Sequence, residues 1–315
     1  MTTHASMLHT RCVVLIPAGP ETQLEYLNDT IESVNHHIGV LNCIVAVIDD
    51  SRRKAFACVG DLFPNAVVIE AADYREGGKS DTRGSLFAKQ AAAIRWLMRR
   101  YRFDVLLRMD TDALMIGDAP HDDALAFLEA RPDVGMIGAF TRRGDGSDKK
   151  PAMATKGQQL TREMGLRRGL RDLALVKTLR SLVRRAEAHG YTRGDMCTGG
   201  ACFLSHRALT AIEKQGLFDL DVLSRSALMD DMLMALLCFA AGYRLSDLPQ
   251  DGDVLAINWR GLPMPPEALV ASRKKIVHPV KDDDLSVEPK VRAFFRERRL
   301  GAHGAPLVAA TVGRA

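Results

Sequence analysis

The chain has 315 residues, 26% of them charged and 47% hydrophobic, with a formal net charge of +4. That balance suits one large or two smaller soluble domains with a substantial core, and it excludes a disordered or fibrous chain. So mild an excess of positive charge does not call for nucleic acid, and none is expected as a partner.

Six cysteines (Cys12, Cys43, Cys58, Cys197, Cys202, Cys238) sit mostly in apolar runs and form no C-x-x-C pair. Reduced core residues of a cytoplasmic protein are the expectation, not disulfides or a zinc site. Residues 1–11 lack the apolar segment of a signal peptide and read as a tail. No run is long enough to span a membrane.

Residues 12–18 (CVVLIPA) form a β-branched apolar run closed by Pro17 and Gly19, which predicts a buried strand and a tight turn. Leu24, Leu27, Ile31, Val34 and Ile38 keep the spacing of an amphipathic helix over 21–38. A second strand at 43–48 ends on Asp49 and Asp50, and a third follows at 66–69. A polar loop at 77–84 with Lys79 and Arg83 leads a helix over 85–100. The next apolar run enters Asp110-Thr111-Asp112. Strand alternation sends side chains i and i+2 to one side, so Asp110 and Asp112 can converge past the strand end. Two converging carboxylates repel unless a cation lies between them, and an oxygen-seeking divalent ion answers that need. The plainer alternatives are solvated loop acids or a helix cap.

Strands alternating with helices predict an α/β fold with a mainly parallel, Rossmann-like sheet. Ligands of such sheets bind beyond the carboxyl ends of the strands, which places Pro17–Gly19, Asp49/Asp50 and Asp110/Asp112 on one edge. A helix at 122–130 and a strand at 134–140 follow. Between residues 141 and 193 there are fourteen Lys or Arg against five Asp or Glu. Leu166, Leu170, Leu173, Val176, Leu179 and Val183 hold helical spacing there, predicting a basic helical insertion over 141–195 that packs its leucines on the domain. A face for an acidic acceptor, or peripheral contact with the anionic inner surface of a membrane, are its sharper readings. The Gly199-Gly200 turn then enters a strand, and helices are expected at 207–214 and 227–241, the latter with Asp230 and Asp231 in its first turn. Those two acids either compensate the helix dipole or face the sheet edge. Strands are expected at 242–248, 254–257 and 274–281, the last carrying His278 and Lys281, before a charged helix at 292–299 and a frayed tail at 301–315.

In this order the landmarks resemble the GT-A fold glycosyltransferases, which move a sugar from a nucleotide-sugar to an acceptor. The likeness runs from residue 12 to 281. It rests on Pro17-Ala18-Gly19, Asp49-Asp50, the segment from Arg83 to Gln90 with Lys89, and Asp110-Thr111-Asp112. Further on it rests on Gly199-Gly200 and the strand after them, Asp230-Asp231 with Gly242-Tyr243, and His278-Pro279-Val280-Lys281. The acidic pair is Asp-Asp where these enzymes more often have Glu-Asp, and the basic insertion has no counterpart.

The resemblance implies one catalytic domain over 12–300, with a nucleotide-sugar half (12–140) and an acceptor half (196–300) either side of the insertion. It implies donor contacts from Pro17, Ala18, Gly19, Asp49, Asp50, Arg83, Lys89, Asp110 and Lys281, and acceptor-side glycines at Gly199 and Gly200. Asp112 would ligate Mn²⁺ or Mg²⁺ directly, Asp110 would bind it through water or hold the ribose, and His278 would be a third ligand. Imidazole ligation suits Mn²⁺ at least as well as Mg²⁺. Asp231 is the expected general base, with Asp230 in reserve, and an in-line attack would invert the anomeric centre. The acceptor, saccharide, lipid-linked or small molecule, stays open. Two other enzymes share parts of this pattern. A haloacid-dehalogenase-type phosphatase uses D-x-D on its first strand, and a sugar nucleotidyltransferase needs a basic, glycine-rich loop where this chain has Gly19-Pro20-Glu21. A non-catalytic scaffold binding through the basic insertion is the alternative of another class.

Overall fold

The computed structural model describes residues 8–51, 53–72, 83–248 and 254–301. Strand β1 (Leu8–Ala18) feeds helix α1 (Leu24–Ile38), β2 (Cys43–Asp49), a short α2 (Val59–Leu62) and β3 (Ala66–Glu70). Helix α3 (Arg83–Arg100) runs directly into β4 (Tyr101–Met109), which is followed by β5 (Leu114–Met115), α4 (Pro120–Ala130) and β6 (Val134–Gly138). Three helices come next: α5 (Lys150–Glu163), α6 (Leu166–Gly169) and α7 (Leu173–Ala188). The last part holds β7 (Ala201–Ser205), α8 (His206–Lys214), two 3₁₀ turns (Leu217–Asp219 and Asp221–Arg225) and α9 (Asp230–Ala240). It closes with β8 (Arg244–Ser246), β9 (Leu255–Ile257), α10 (Pro266–Ala271), β10 (Ile276–His278) and α11 (Val287–Gly301).

The expected α/β architecture is observed. Seven strands form one sheet in the order β3-β2-β1-β4-β7-β6-β8, with β1, β2, β3 and β4 parallel and β7 antiparallel to both its neighbours. A second sheet, β5-β10-β9, stands beside it. Continuous apolar runs become the central strands because helices cover both faces. In β1 the alternation separates Val13 and Leu15 into one core and Val14 and Ile16 into the other. All four are fully buried. The parallel register brings the carboxyl ends of β1, β2 and β4 to one edge.

Several expectations are corrected. β1 begins at Leu8, because residues 8–10 pair with Tyr101–Phe103 of β4, so part of the expected tail belongs to the sheet. The helix predicted from the spacing of Leu166 to Val183 is two, α6 and α7, with α5 before them. The period breaks at Asp172, whose side chain caps α7 by accepting from the Leu175 amide at 3.1 Å. Helix α7 buries Leu175, Val176, Leu179, Leu182 and Val183, the packing role foreseen for the insertion. Leu166, Leu170 and Leu173 instead stand in solvent beside Arg167 and Arg171. Cys58 is exposed, whereas the other cysteines are buried, and all six are free thiols. Of the loop expected at 77–84, Arg83 and Gly84 belong to α3, while residues 77–82, with Lys79, and the tail from 302 on lie outside the described residues. No helix among the described residues is long and apolar enough to cross a membrane.

Candidate active site

β4 delivers Arg108 and then Asp110-Thr111-Asp112 to the edge of the sheet, and the turn is fixed from four directions. The Asp110 amide donates to the Gly200 carbonyl at 2.8 Å, and the Val280 amide donates to the Asp112 carbonyl at 2.9 Å. The Thr111 carbonyl accepts from Thr30 Oγ1 of α1 at 2.9 Å and from Arg292 Nη2 of α11 at 2.8 Å. A backbone so fully bonded holds its carboxylates in place before any ligand arrives.

His278, at the end of β10, completes a cluster. Its Nδ1 lies 2.9 Å from the Asn258 carbonyl. That contact makes Nδ1 the donor and turns Nε2 toward the acids. Nε2 is 3.5 Å from Asp110 Oδ2 and 3.4 Å from Asp112 Oδ1. The ring fits there only because Gly200 has no side chain. A Cβ on Gly200 would fall 2.2 Å from the imidazole, and its φ of +109° suits glycine alone. Gly200, expected on the acceptor side, therefore packs under His278.

One ligand atom from each of Asp110, Asp112 and His278 lies within 4.8 Å of the others. Two carboxylates with an oriented imidazole fit a divalent cation that accepts oxygen and nitrogen, so the residues present suit Mn²⁺. The carboxyls differ in charge behaviour. Burial pushes Asp110 upward; Arg108 and His278 oppose that, while Asp112 and Asp230 add to it. Burial would raise Asp112 too, but His278 and Lys281, whose Nζ lies 2.8 Å from Asp112 Oδ2, hold it well below the usual carboxylate range.

Opposite this cluster, Asp230 and Asp231 open α9. Asp230 accepts from Arg108 Nη2 and Gln90 Nε2, both at 2.9 Å. Asp231, 5% exposed, accepts from the Gly199 amide at 3.0 Å and from the Met232 amide at 2.7 Å. Burial, reinforced by the Asp230 charge, pushes Asp231 up to about 6. Such a carboxyl can exchange protons near neutral pH. The dipole reading also holds, since both acids sit in the first turn.

Arg108 was not foreseen as a site residue. It is 5% exposed, with Nη1 2.9 Å from Asp110 and Nη2 2.9 Å from Asp230, so one guanidinium links the two acidic groups. The alternation that pairs Asp110 with Asp112 would have found it one step earlier in the strand.

All of these groups open onto one cleft of about 560 Å³, a size suited to a small ligand. Pro17, Gly19, Gly199 and Lys281 also line it, as do Arg143, Lys149, Lys156 and Trp259, which sequence reasoning did not single out. Ala18, Asp49, Asp50, Arg83 and Lys89 are not in its wall. Ala18 is fully buried in β1. Asp49 is 5% exposed, its carboxylate accepting from the Ser51 amide at 2.9 Å and the Phe56 amide at 3.1 Å, which closes the loop after β2. Asp50 takes Lys89 Nζ on both oxygens, at 2.9 and 2.8 Å, tying the end of β2 to α3. Arg83 is exposed at the start of α3.

No protein-family model matches the chain, and no curated protein matches it. Among solved structures it is similar to a mannosyltransferase of Pyrobaculum calidifontis in complex with GDP-Man and Mn²⁺, with 14% identity and a TM-score of 0.40. The match covers 93% of this chain and 64% of that one, so this chain spans under two thirds of its length. It is also similar to the galactosyltransferase LgtC in complex with donor and acceptor sugar analogs, with 12% identity, a TM-score of 0.44, and coverage of 94% and 98%. A third likeness, to S. aureus TarS 1–349 in complex with UDP-GlcNAc, has 14% identity and a TM-score of 0.30 over 41% of this chain and 34% of that one. No residue role is carried over from them.

Proposed function

We propose that this chain is a metal-dependent glycosyltransferase that moves a sugar from a nucleoside-diphosphate sugar to an acceptor hydroxyl with inversion. The observation that carries the reading is the pairing, across one cleft, of the Asp110/Asp112/His278 cluster with the buried Asp231. Asp112, His278 and Asp110 would hold Mn²⁺ or Mg²⁺, which when bound supplies neutralisation of the charge developing on a nucleoside diphosphate. Lys281, with a side chain 61% exposed, can add a further positive charge to that diphosphate. Arg108 and Gln90 hold Asp230 in place by hydrogen bonds. Asp231 would take the proton of the acceptor hydroxyl as it attacks from the side opposite the leaving group.

Thermal denaturation with a panel of nucleotide-sugars tests this reading. A donor should raise Tm only when Mn²⁺ is present, in proportion to ln(1 + [L]/Kd), and should be slowly hydrolysed. If no donor gives either effect, the reading fails.

The base makes a separate expectation. Asp231 acts as the carboxylate, so kcat/KM should fall below pH about 6 as it gains a proton. Asp231→Asn should cut transfer by about 10²–10⁴-fold with donor affinity retained. Asp230→Asn removes a negative charge that raises Asp231, so the acidic limb should move to lower pH. A limb that stays in place in Asp230→Asn would assign the titration to another group.

A further inference from the structure

Lys156 of α5 is a cation held against the cleft with no carboxylate partner among the described residues. It is only 7% exposed. Its Nζ lies 3.1 Å from Met229 Sδ and 4.4 Å from the centre of the Trp259 ring, and no described carboxylate lies within ion-pair distance. A thioether and an indole face do not replace the hydration of an ammonium group, so this charge is poorly compensated. Burial accordingly lowers its pKa, with the Asp231 charge acting in the opposite sense and Arg83 reinforcing the fall. Arg143 and Arg260 line the same cleft. Lys281, by contrast, is already paired with Asp112.

Trp259 adds a second observation. It lines the cleft yet is 59% exposed, a large flat apolar surface left in water beside a cation. A pyranose ring has apolar C–H faces and polar edges, and an indole plane matches such a face. The Lys156 ammonium stands over one face of that indole, and a cation so placed beside a stacked sugar matches an anionic substituent on its ring. Lys156 touches Met229, the residue before Asp230 and Asp231 at the start of α9, so this corner lies beside the proposed general base.

We propose that Lys156 and Trp259 form an acceptor subsite for a sugar bearing an anionic group, either a carboxylate or a phosphate. The identification of the occupant as the acceptor rests on the glycosyltransferase reading; the preference for an anionic sugar does not.

The chain has two tryptophans, Trp96 and Trp259, so Trp96→Phe leaves Trp259 as the only indole reporter. Its fluorescence should be titrated with glucuronate, glucose 6-phosphate and glucose, with no donor present. At least one anionic sugar should bind more tightly than glucose by about tenfold or more, the range of a charge-assisted hydrogen bond. Glucuronate alone would assign a carboxylate, and glucose 6-phosphate alone a phosphate. Lys156→Met, similar in volume and set beside Met229, should bring all three to parity, and Lys156→Arg should restore the preference. Equal binding of the three sugars, no quenching by either anionic sugar, or a preference that survives Lys156→Met overturns the proposal. Failure of every donor to bind or turn over would instead sink the enzyme reading and leave this binding result standing.

Discussion

Asp112→Asn should abolish Mn²⁺ binding and lower donor turnover by about a thousandfold, while leaving the metal-free chain folded. The carboxylate stands 3.4 Å from His278 Nε2 and 2.8 Å from Lys281 Nζ. Those two neighbours hold it well below the usual carboxylate range, so it is an anion at neutral pH. Asparagine keeps the shape but removes the charge that a hard cation needs. A metal that stabilises a leaving diphosphate contributes several kcal/mol to the transition state; about 4 kcal/mol is about 10³ in rate. The turn itself should survive, because Val280 bonds the main-chain carbonyl of Asp112 and not its side chain. Electron paramagnetic resonance titration of Mn²⁺ reads the binding, and donor hydrolysis reads the rate. Undiminished Mn²⁺ binding by Asp112→Asn would place the metal elsewhere.

The two halves of this site differ in how visible they are in the chain. β1, β2 and β4 are legible because strands buried on both faces must be continuous apolar runs, and the acids that end β2 and β4 interrupt those runs abruptly. Which acid faces the cleft is not legible. Asp49 and Asp110 both follow such a run, but Asp49 satisfies two amides within seven residues, a local closure that competes with any role in the cleft. The leucines at 166, 170 and 173 keep a helical period through a stretch that is not one helix. Period alone does not override the cap at Asp172, and that was the signal to weigh.

The charged residues that set the site's electrostatics were the hardest to read. Arg108 acts through Asp230, 122 positions away, and Lys156 lies over Trp259, just over a hundred positions away. Each is an ordinary basic residue until the fold brings its neighbour in. The same holds for α11, which reads as a charged helix and buries Arg292 at 1% and Arg299 at 8% exposure.

Arg292→Met should cost about 3–5 kcal/mol of stability and weaken Mn²⁺ binding, though Arg292 touches no ligand of the proposed metal. The guanidinium donates to Asp29 Oδ2 at 2.9 Å, Glu288 Oε1 at 2.9 Å and the Thr111 carbonyl at 2.8 Å. Asp29 is 1% exposed, and although Arg296 and Arg299 contact its Oδ1, losing Arg292 leaves the buried Oδ2 without its donor. A chain of this kind has about 5–15 kcal/mol in total, so the loss should show as a fall in Tm of about 5–8 °C. Thr111 is the residue between Asp110 and Asp112. Without Arg292 its carbonyl keeps only Thr30, and the two carboxylates lose part of the constraint that holds them together. Arg292→Lys separates the effects: it keeps a charge for Asp29 but cannot reach Asp29, Glu288 and Thr111 together, so stability should recover further than Mn²⁺ affinity. A large fall in Tm with unaltered Mn²⁺ affinity in both variants would make Arg292 a strut of the fold with no hold on the metal turn.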